Sequence, residues 1–167
     1  GLPHNMGRSV AYPVDKLRDA EFTKKYGTAP SIMDYARFNY IAQPGDEGVA
    51  LMPDIGVYDK YAISWGYRPI LEAKTAEEEK STLDSWILKH AGDPMYRFGR
   101  QQGGGVIDPS SQTEDLGDDA VKASNYGIAN LKRIIPNLIE WTAEDGKNYD
   151  DLETMYGQVA GQFARYM

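Results

Sequence analysis

The chain has 167 residues and a net charge of −7, with 41% hydrophobic and 26% charged residues, enough for one domain with a core and too few for two ordinary ones. A phosphate-binding surface needs clustered Lys and Arg. The only adjacent pairs here are Lys24-Lys25 and Lys132-Arg133, which argues against nucleic acid as a partner.

No apolar run approaches the length of a membrane span. With no cysteine, neither disulfides nor thiolate metal sites are available. Residues 1–57 carry proline at Pro3, Pro13, Pro30 and Pro44 and glycine at Gly7, Gly27, Gly45 and Gly48. No helical period survives between them, so this stretch is expected to be irregular, with one short helix between Asp15 and Tyr26. A long coil inside a compact domain is often functional.

Residues 58–167 read as helical. Tyr58 to Gly66 suits a two-turn helix with Tyr61 and Trp65 on one face. Thr75 followed by Glu78 is a capping box. Behind it Leu83, Trp86, Ile87 and His90 mark the apolar face of a helix that stops at Gly92-Asp93-Pro94. His90 on that face reads as a packed or boundary histidine rather than a ligand.

Gln101 to Pro109, with Gly103-Gly104-Gly105, reads as a loop without the Lys-Ser/Thr of a phosphate loop. The strongest period is Val121, Ser124, Ile128, Leu131, Ile135 and Leu138, with Pro136 ending or kinking the helix near Ile135. A last helix is expected from about Tyr149, with Leu152, Met155, Tyr156, Val159, Phe163 and Tyr166 facing inward. No alternating strand pattern stands out. The predicted fold class is mainly α, a single subdomain over residues 1–167.

Two motifs carry chemistry. Gly1-Leu2-Pro3-His4 matches the last four positions of H-E-x-x-H-x-x-G-x-x-H, in which the glycine turns the chain and the third histidine completes a zinc site. Ser31-Ile32-Met33-Asp34-Tyr35 follows in the order expected of the Met-turn, S-[IV]-M-x-Y. Together with Tyr58 to Tyr67, Asp93 to Gly99 and Gln112 to Ala120, these stretches resemble the C-terminal part of a bacterial Met-zincin family of zinc-dependent metallopeptidases. The resemblance covers most of the chain.

That resemblance implies a C-terminal helical subdomain of a metzincin-like catalytic domain, acting on peptide or protein substrates outside the cytoplasm. Gly1 would be the motif glycine and His4 the third zinc ligand. Ser31 and Met33 would form the Met-turn, with Met33 a hydrophobic floor beneath the histidines. The Tyr35 hydroxyl would hydrogen-bond the developing oxyanion. In the intact enzyme zinc would polarise the scissile carbonyl, with the motif glutamate as general base. That glutamate and the two leading histidines are not in this chain. The chain alone is therefore expected to be inactive and to hold no zinc tightly, its first partner being the upstream half of its own catalytic domain.

Glu114, Asp115, Asp118 and Asp119 form the densest acidic cluster. Carboxylates at the start of a helix act as caps and dipole partners; a calcium site or support of the active site from behind are the other readings. A reading from another class is a non-enzymatic module that binds a peptide, a glycan or calcium. It would leave His4 and Met33 far apart, whereas the peptidase reading brings them together at an exposed edge.

Overall fold

The computed structural model describes residues 2–100 and 108–167. Gly1 and most of the expected Gly103-Gly104-Gly105 loop lie outside the described residues. The chain is mainly helical, and no strand forms among the described residues. The α-helices are α1 (Ala20–Tyr26), α2 (Val57–Tyr67), α3 (Ala76–Leu88), α4 (Ala120–Ile134), α5 (Leu138–Thr142) and α6 (Asp150–Tyr166). Single 3-10 turns sit between them, among them Ile32–Asp34 in the Met-turn and Pro94–Tyr96 after α3.

The irregular first third is the core rather than a covering. Tyr12, Val14, Leu17, Tyr40 and Ile41 from this segment pack with Leu116 and Ala123, and Phe22, Tyr26 and Tyr166 lean against them. Buried coil must find partners for its backbone polar groups without a regular ladder. Polar side chains supply them. Asn39 Nδ2 donates to the carbonyls of Leu17 (2.6 Å) and Ala50 (3.1 Å), Asp118 Oδ1 accepts from Val14 N at 3.0 Å, and Thr23 Oγ1 accepts from Ala50 N at 3.1 Å. The Arg18 guanidinium clasps Asp46 with two bonds of 2.7 and 2.9 Å and donates to Tyr126 of α4 at 3.1 Å. A 3-10 turn at Val14–Arg18 gives way at Asp19, whose carboxylate caps Phe22 N at 3.0 Å and starts α1. The single helix expected between Asp15 and Tyr26 is thus two pieces.

The helical remainder follows its caps and breakers. Thr75 caps α3 through Glu78 N at 3.3 Å, while Glu78 reaches back to Lys74 N at 2.8 Å. The helix ends at Leu88, before His90. α4 ends at Ile134, and Pro136 lies in the 3-10 turn that turns the chain into α5. The buried stripe of α4 differs from the expected one: Ala123, Gly127 and Leu131 face inward, and Val121 is 73% exposed. The cause is Tyr166 at the end of α6. Its ring lies on Gly127 so closely that a Cβ there would sit 2.5 Å from Cζ. Small residues, not large ones, define that face. On α6 only Val159 is buried, packing with Leu131 and Leu138; Leu152 and Tyr166 pack partly, and Met155, Tyr156 and Phe163 stay exposed.

Leu17, fully enclosed in the core, tests this arrangement. Leu17→Ala should cost about 2–5 kcal/mol, while Val121→Ala, at a position expected from periodicity to be inward, should stay within about 0.5 kcal/mol. Chemical denaturation of the two variants beside the wild type measures both.

Candidate functional site

The Met-turn is built around one carboxylate. Asp59, in the first turn of α2 and 5% exposed, accepts from Ser31 Oγ at 2.6 Å through Oδ1. Its Oδ2 accepts from Ile32 N at 2.9 Å and Gly56 N at 2.8 Å. Ser31 Oγ in turn accepts from Met33 N at 3.0 Å. Tyr58 N donates to Pro30 O at 2.9 Å, which brings the start of α2 so close that a Cβ at Gly56 would lie 1.9 Å from Pro30 O. Held this way, the turn ends with Tyr35 in the left-handed region at φ 56°, ψ 27°. That conformation costs a non-glycine residue about 1–3 kcal/mol and persists where surrounding bonds over-determine it.

The His4 segment is fastened to the same turn. Asn5 N donates to Met33 O at 3.1 Å. The Asn5 side chain donates to Arg97 O at 3.1 Å and accepts from Gly99 N at 2.8 Å, while Met6 N donates to Gly99 O at 2.8 Å. Asp34 Oδ2 accepts from Arg8 N and Ser9 N. Residues 5–9 are thus stitched to Met33 and Asp34 in the Met-turn. The consequence is that the His4 imidazole lies against the Tyr35 ring, centroids 4.4 Å apart and planes at 45°. Both are exposed, Tyr35 at 53%, and Ile32 and Ile55 are exposed beside the same turn. Met33 is half-buried.

A charged cluster lies beneath. Asp34 is completely buried, and burial pushes its carboxyl up to about 7 against the opposing pull of the Ser9 and Arg8 amides. Burial also raises Asp115, which accepts from Ser9 Oγ. Arg8 donates to Pro94 O and lies over the Tyr58 ring at 5.9 Å. Burial lowers its guanidinium to about 10 even though Asp34 raises it.

The four carboxylates of the acidic cluster serve four partners. Glu114 pairs with Arg37, which holds it below the usual carboxylate range. Asp115 meets Ser9, Asp118 accepts from Val14 N, and Asp119 caps α4 through Lys122 N at 2.9 Å. Among the described residues no three His, Cys, Asp or Glu side chains gather into a group that could hold a metal ion. The chain's other histidine, His90, is stacked on Tyr96 at 3.9 Å, with Tyr61 at 5.0 Å from it. These residues do not fit a complete zinc centre. What they fit is one ligand position, His4, with its surroundings.

The family model described as Met-zincin matches residues 1–167. The chain belongs to the Met-zincin family, whose members are related to zinc metallopeptidases. No curated protein and no solved structure matches it.

The motifs led to His4, Ser31, Met33 and Tyr35 but not to the groups that hold them. Asp59 carried a signal: an acid three residues after Gly56 at a helix start is the second half of a capping box. Asn5, Ser9 and Arg8 carried none, since their partners lie 25 to more than 100 residues away. Asp59→Ala should leave buried donors of Ser31, Ile32 and Gly56 without an acceptor. At ~1–3 kcal/mol for each such group, a loss of roughly 3 kcal/mol or more is expected in denaturation, together with loss of the His4–Tyr35 ring contact in NMR.

Proposed function

We propose that this chain is the C-terminal helical unit of a zinc-dependent metallopeptidase that hydrolyses peptide bonds, residues 1–167 acting together as one subdomain. The observation that carries the reading is the ring contact of His4 with Tyr35 above the Met-turn. Two sequence motifs far apart in the chain meet at one exposed edge. His4 supplies one imidazole ligand, Ser31 and Met33 the floor, and the exposed Tyr35 hydroxyl a donor aimed at the oxyanion that develops on the substrate carbonyl. Zinc, when bound, supplies Lewis acidity and a water of lowered pKa.

A three-ligand catalytic site needs donors beyond His4, so they come from other residues of the intact enzyme, and the chain alone is inactive. The exposed apolar edge formed by Ile32, Tyr35 and Ile55 is where that remainder packs, since large exposed apolar patches mark missing partners. Peptides or proteins are the substrates, and the family resemblance supports an extracytoplasmic setting. No described helix is long and apolar enough to cross a membrane.

The test uses an enzyme in which these residues stand with the remaining ligands. Tyr35→Phe should lower kcat by about a hundredfold or more, equivalent to roughly 2.7–4 kcal/mol, with KM and zinc content unchanged. His4→Ala should lose the metal, and His90→Ala should change neither. Stoichiometric zinc retained in His4→Ala would overturn the assignment, and full turnover of Tyr35→Phe would remove the hydroxyl from the mechanism.

A further inference from the structure

α3 buries none of its residues, although Leu83, Trp86 and Ile87 give it an apolar face. What that face meets is the end of α2. Trp65 Nε1 donates to Leu83 O at 3.3 Å, and the Arg68 guanidinium lies over the Trp86 ring at 5.0 Å. Two cavities open along this seam, and both are walled by Tyr61 and His90. The smaller, about 160 Å³, is completed by Ser64, Trp65, Arg68, Trp86 and Lys89. The larger, about 450 Å³, runs on past Ile87, Asp93, Pro94, Tyr96 and Arg97. The shared wall is a packed cluster of rings: His90 is stacked on Tyr96 at 3.9 Å, and Tyr61 meets both edge-on at 5.0 and 5.2 Å.

The two cavities differ in charge. Acids outnumber bases in the chain, 25 to 18, but among the described residues the smaller cavity is lined by two cations and no carboxylate. Neither Arg68 nor Lys89 is in an ion pair with a described carboxylate. On the same face of α3 the acid Glu79 stands seven residues before Trp86, about 10 Å along the helix and so about one screening length away. The larger cavity instead holds Asp93, and its cation Arg97 is already paired with Asp108 at 3.3 Å. An anion is drawn to one end only. Solvated surface charges bind weakly by themselves. Here stacking on Trp86 orients the Arg68 fork, so less freedom is lost when it grips a carboxylate, and the aromatic walls lower the local dielectric.

We propose that this seam binds the C-terminal end of a peptide, with its carboxylate between Arg68 and Lys89 and large apolar side chains against the Tyr61, His90 and Tyr96 rings. A planar carboxylate matches the guanidinium fork. Aromatic walls with a few convergent polar groups are the usual lining of a ligand pocket, and about 450 Å³ is in the range for drug-sized ligands. That room favours the last two residues of a peptide over a single small acid. Asp93 repels the carboxylate from the far end and so fixes the direction in which the peptide lies. The site stands apart from the peptidase reading, and its chemistry needs no zinc.

The experiment is an NMR titration of the whole chain with N-acetylated Gly-Phe-Phe, following the indole N–H signals. Trp65 and Trp86 line the smaller cavity, and Trp141 lies on α5, so the chain carries its own reference. Saturable shifts of Trp65 and Trp86 are expected, with Trp141 unmoved. The carboxamide form of the peptide should bind about tenfold more weakly or worse, because a hydrogen bond to a charged group is lost. Arg68→Gln and Lys89→Gln should each weaken the free-acid peptide to the same degree. Replacing both phenylalanines of the peptide by alanine should cost at least about tenfold, and N-acetylphenylalanine and inorganic phosphate should both bind more weakly than the tripeptide.

Arg68 and Lys89 are exposed, so both variants should fold, and an unchanged Trp141 signal checks that they do. Equal affinity for the acid and the carboxamide would overturn the proposal. So would full affinity in either variant, or shifts that include Trp141. N-acetylphenylalanine or phosphate binding as tightly as the tripeptide would overturn the peptide end as occupant. None of these readouts involves zinc or peptide hydrolysis, so their failure is distinct from failure of the proposed activity.

Discussion

The Asp59 carboxylate is the constraint on which the rest of the site depends. Three donors from two separated stretches, residues 31–32 and Gly56, end on its two oxygens. Burying a carboxylate is tolerable only when its oxygens are fully bonded, and here the bonds double as stitches between the Met-turn and the start of α2. Once the turn is fixed, the left-handed Tyr35 is fixed with it, and so is the carbonyl of Met33 that receives Asn5. The position of His4 is the last link in that chain. A different residue at Gly56 would break it early, since no Cβ fits beside Pro30.

A site assembled from coil needs a rigid frame, and the frame here is polar as much as apolar. Residues of the irregular first third contribute Tyr12, Val14, Leu17, Tyr40 and Ile41 to the core. Asn39, Asp118, Thr23 and the Arg18–Asp46 clasp tie the backbone between them. These side chains do for the coil what hydrogen-bond ladders do for sheets. The helices have a secondary part: α4 and α6 close the far side of the core through Tyr166 on Gly127.

Much of the helical half was legible in the sequence. Pro136 marked the end of α4, Thr75 the start of α3, and the long apolar period the last helix. What stayed hidden was which face turned inward. Periodicity counts large apolar residues, and on α4 the close approach of Tyr166 selects Ala123 and Gly127 instead. On α6 the expected inward residues Met155, Tyr156 and Phe163 remain exposed because packing reaches the helix from one side, through Leu131 and Leu138.

The site divides the same way. His4, Met33 and Tyr35 were candidates because motifs name residues at short spacing, and the ring contact of His4 with Tyr35 brings two of them together. Asp34, Ser9, Asn5 and Asp115 were not read as a framework, because contacts across 25 to 106 residues leave no local pattern. Three of the four acidic-cluster carboxylates hold loops or pair with Arg37, and Asp119 alone caps a helix.

The central claim is that His4 is a metal ligand held against the Met-turn. Anomalous diffraction at the zinc absorption edge, on crystals of the intact enzyme, addresses it directly. A zinc peak is expected about 2.0–2.1 Å from an imidazole nitrogen of His4, with Met33 beneath it and the Tyr35 hydroxyl facing the open position. A zinc peak whose ligands exclude His4 would contradict it.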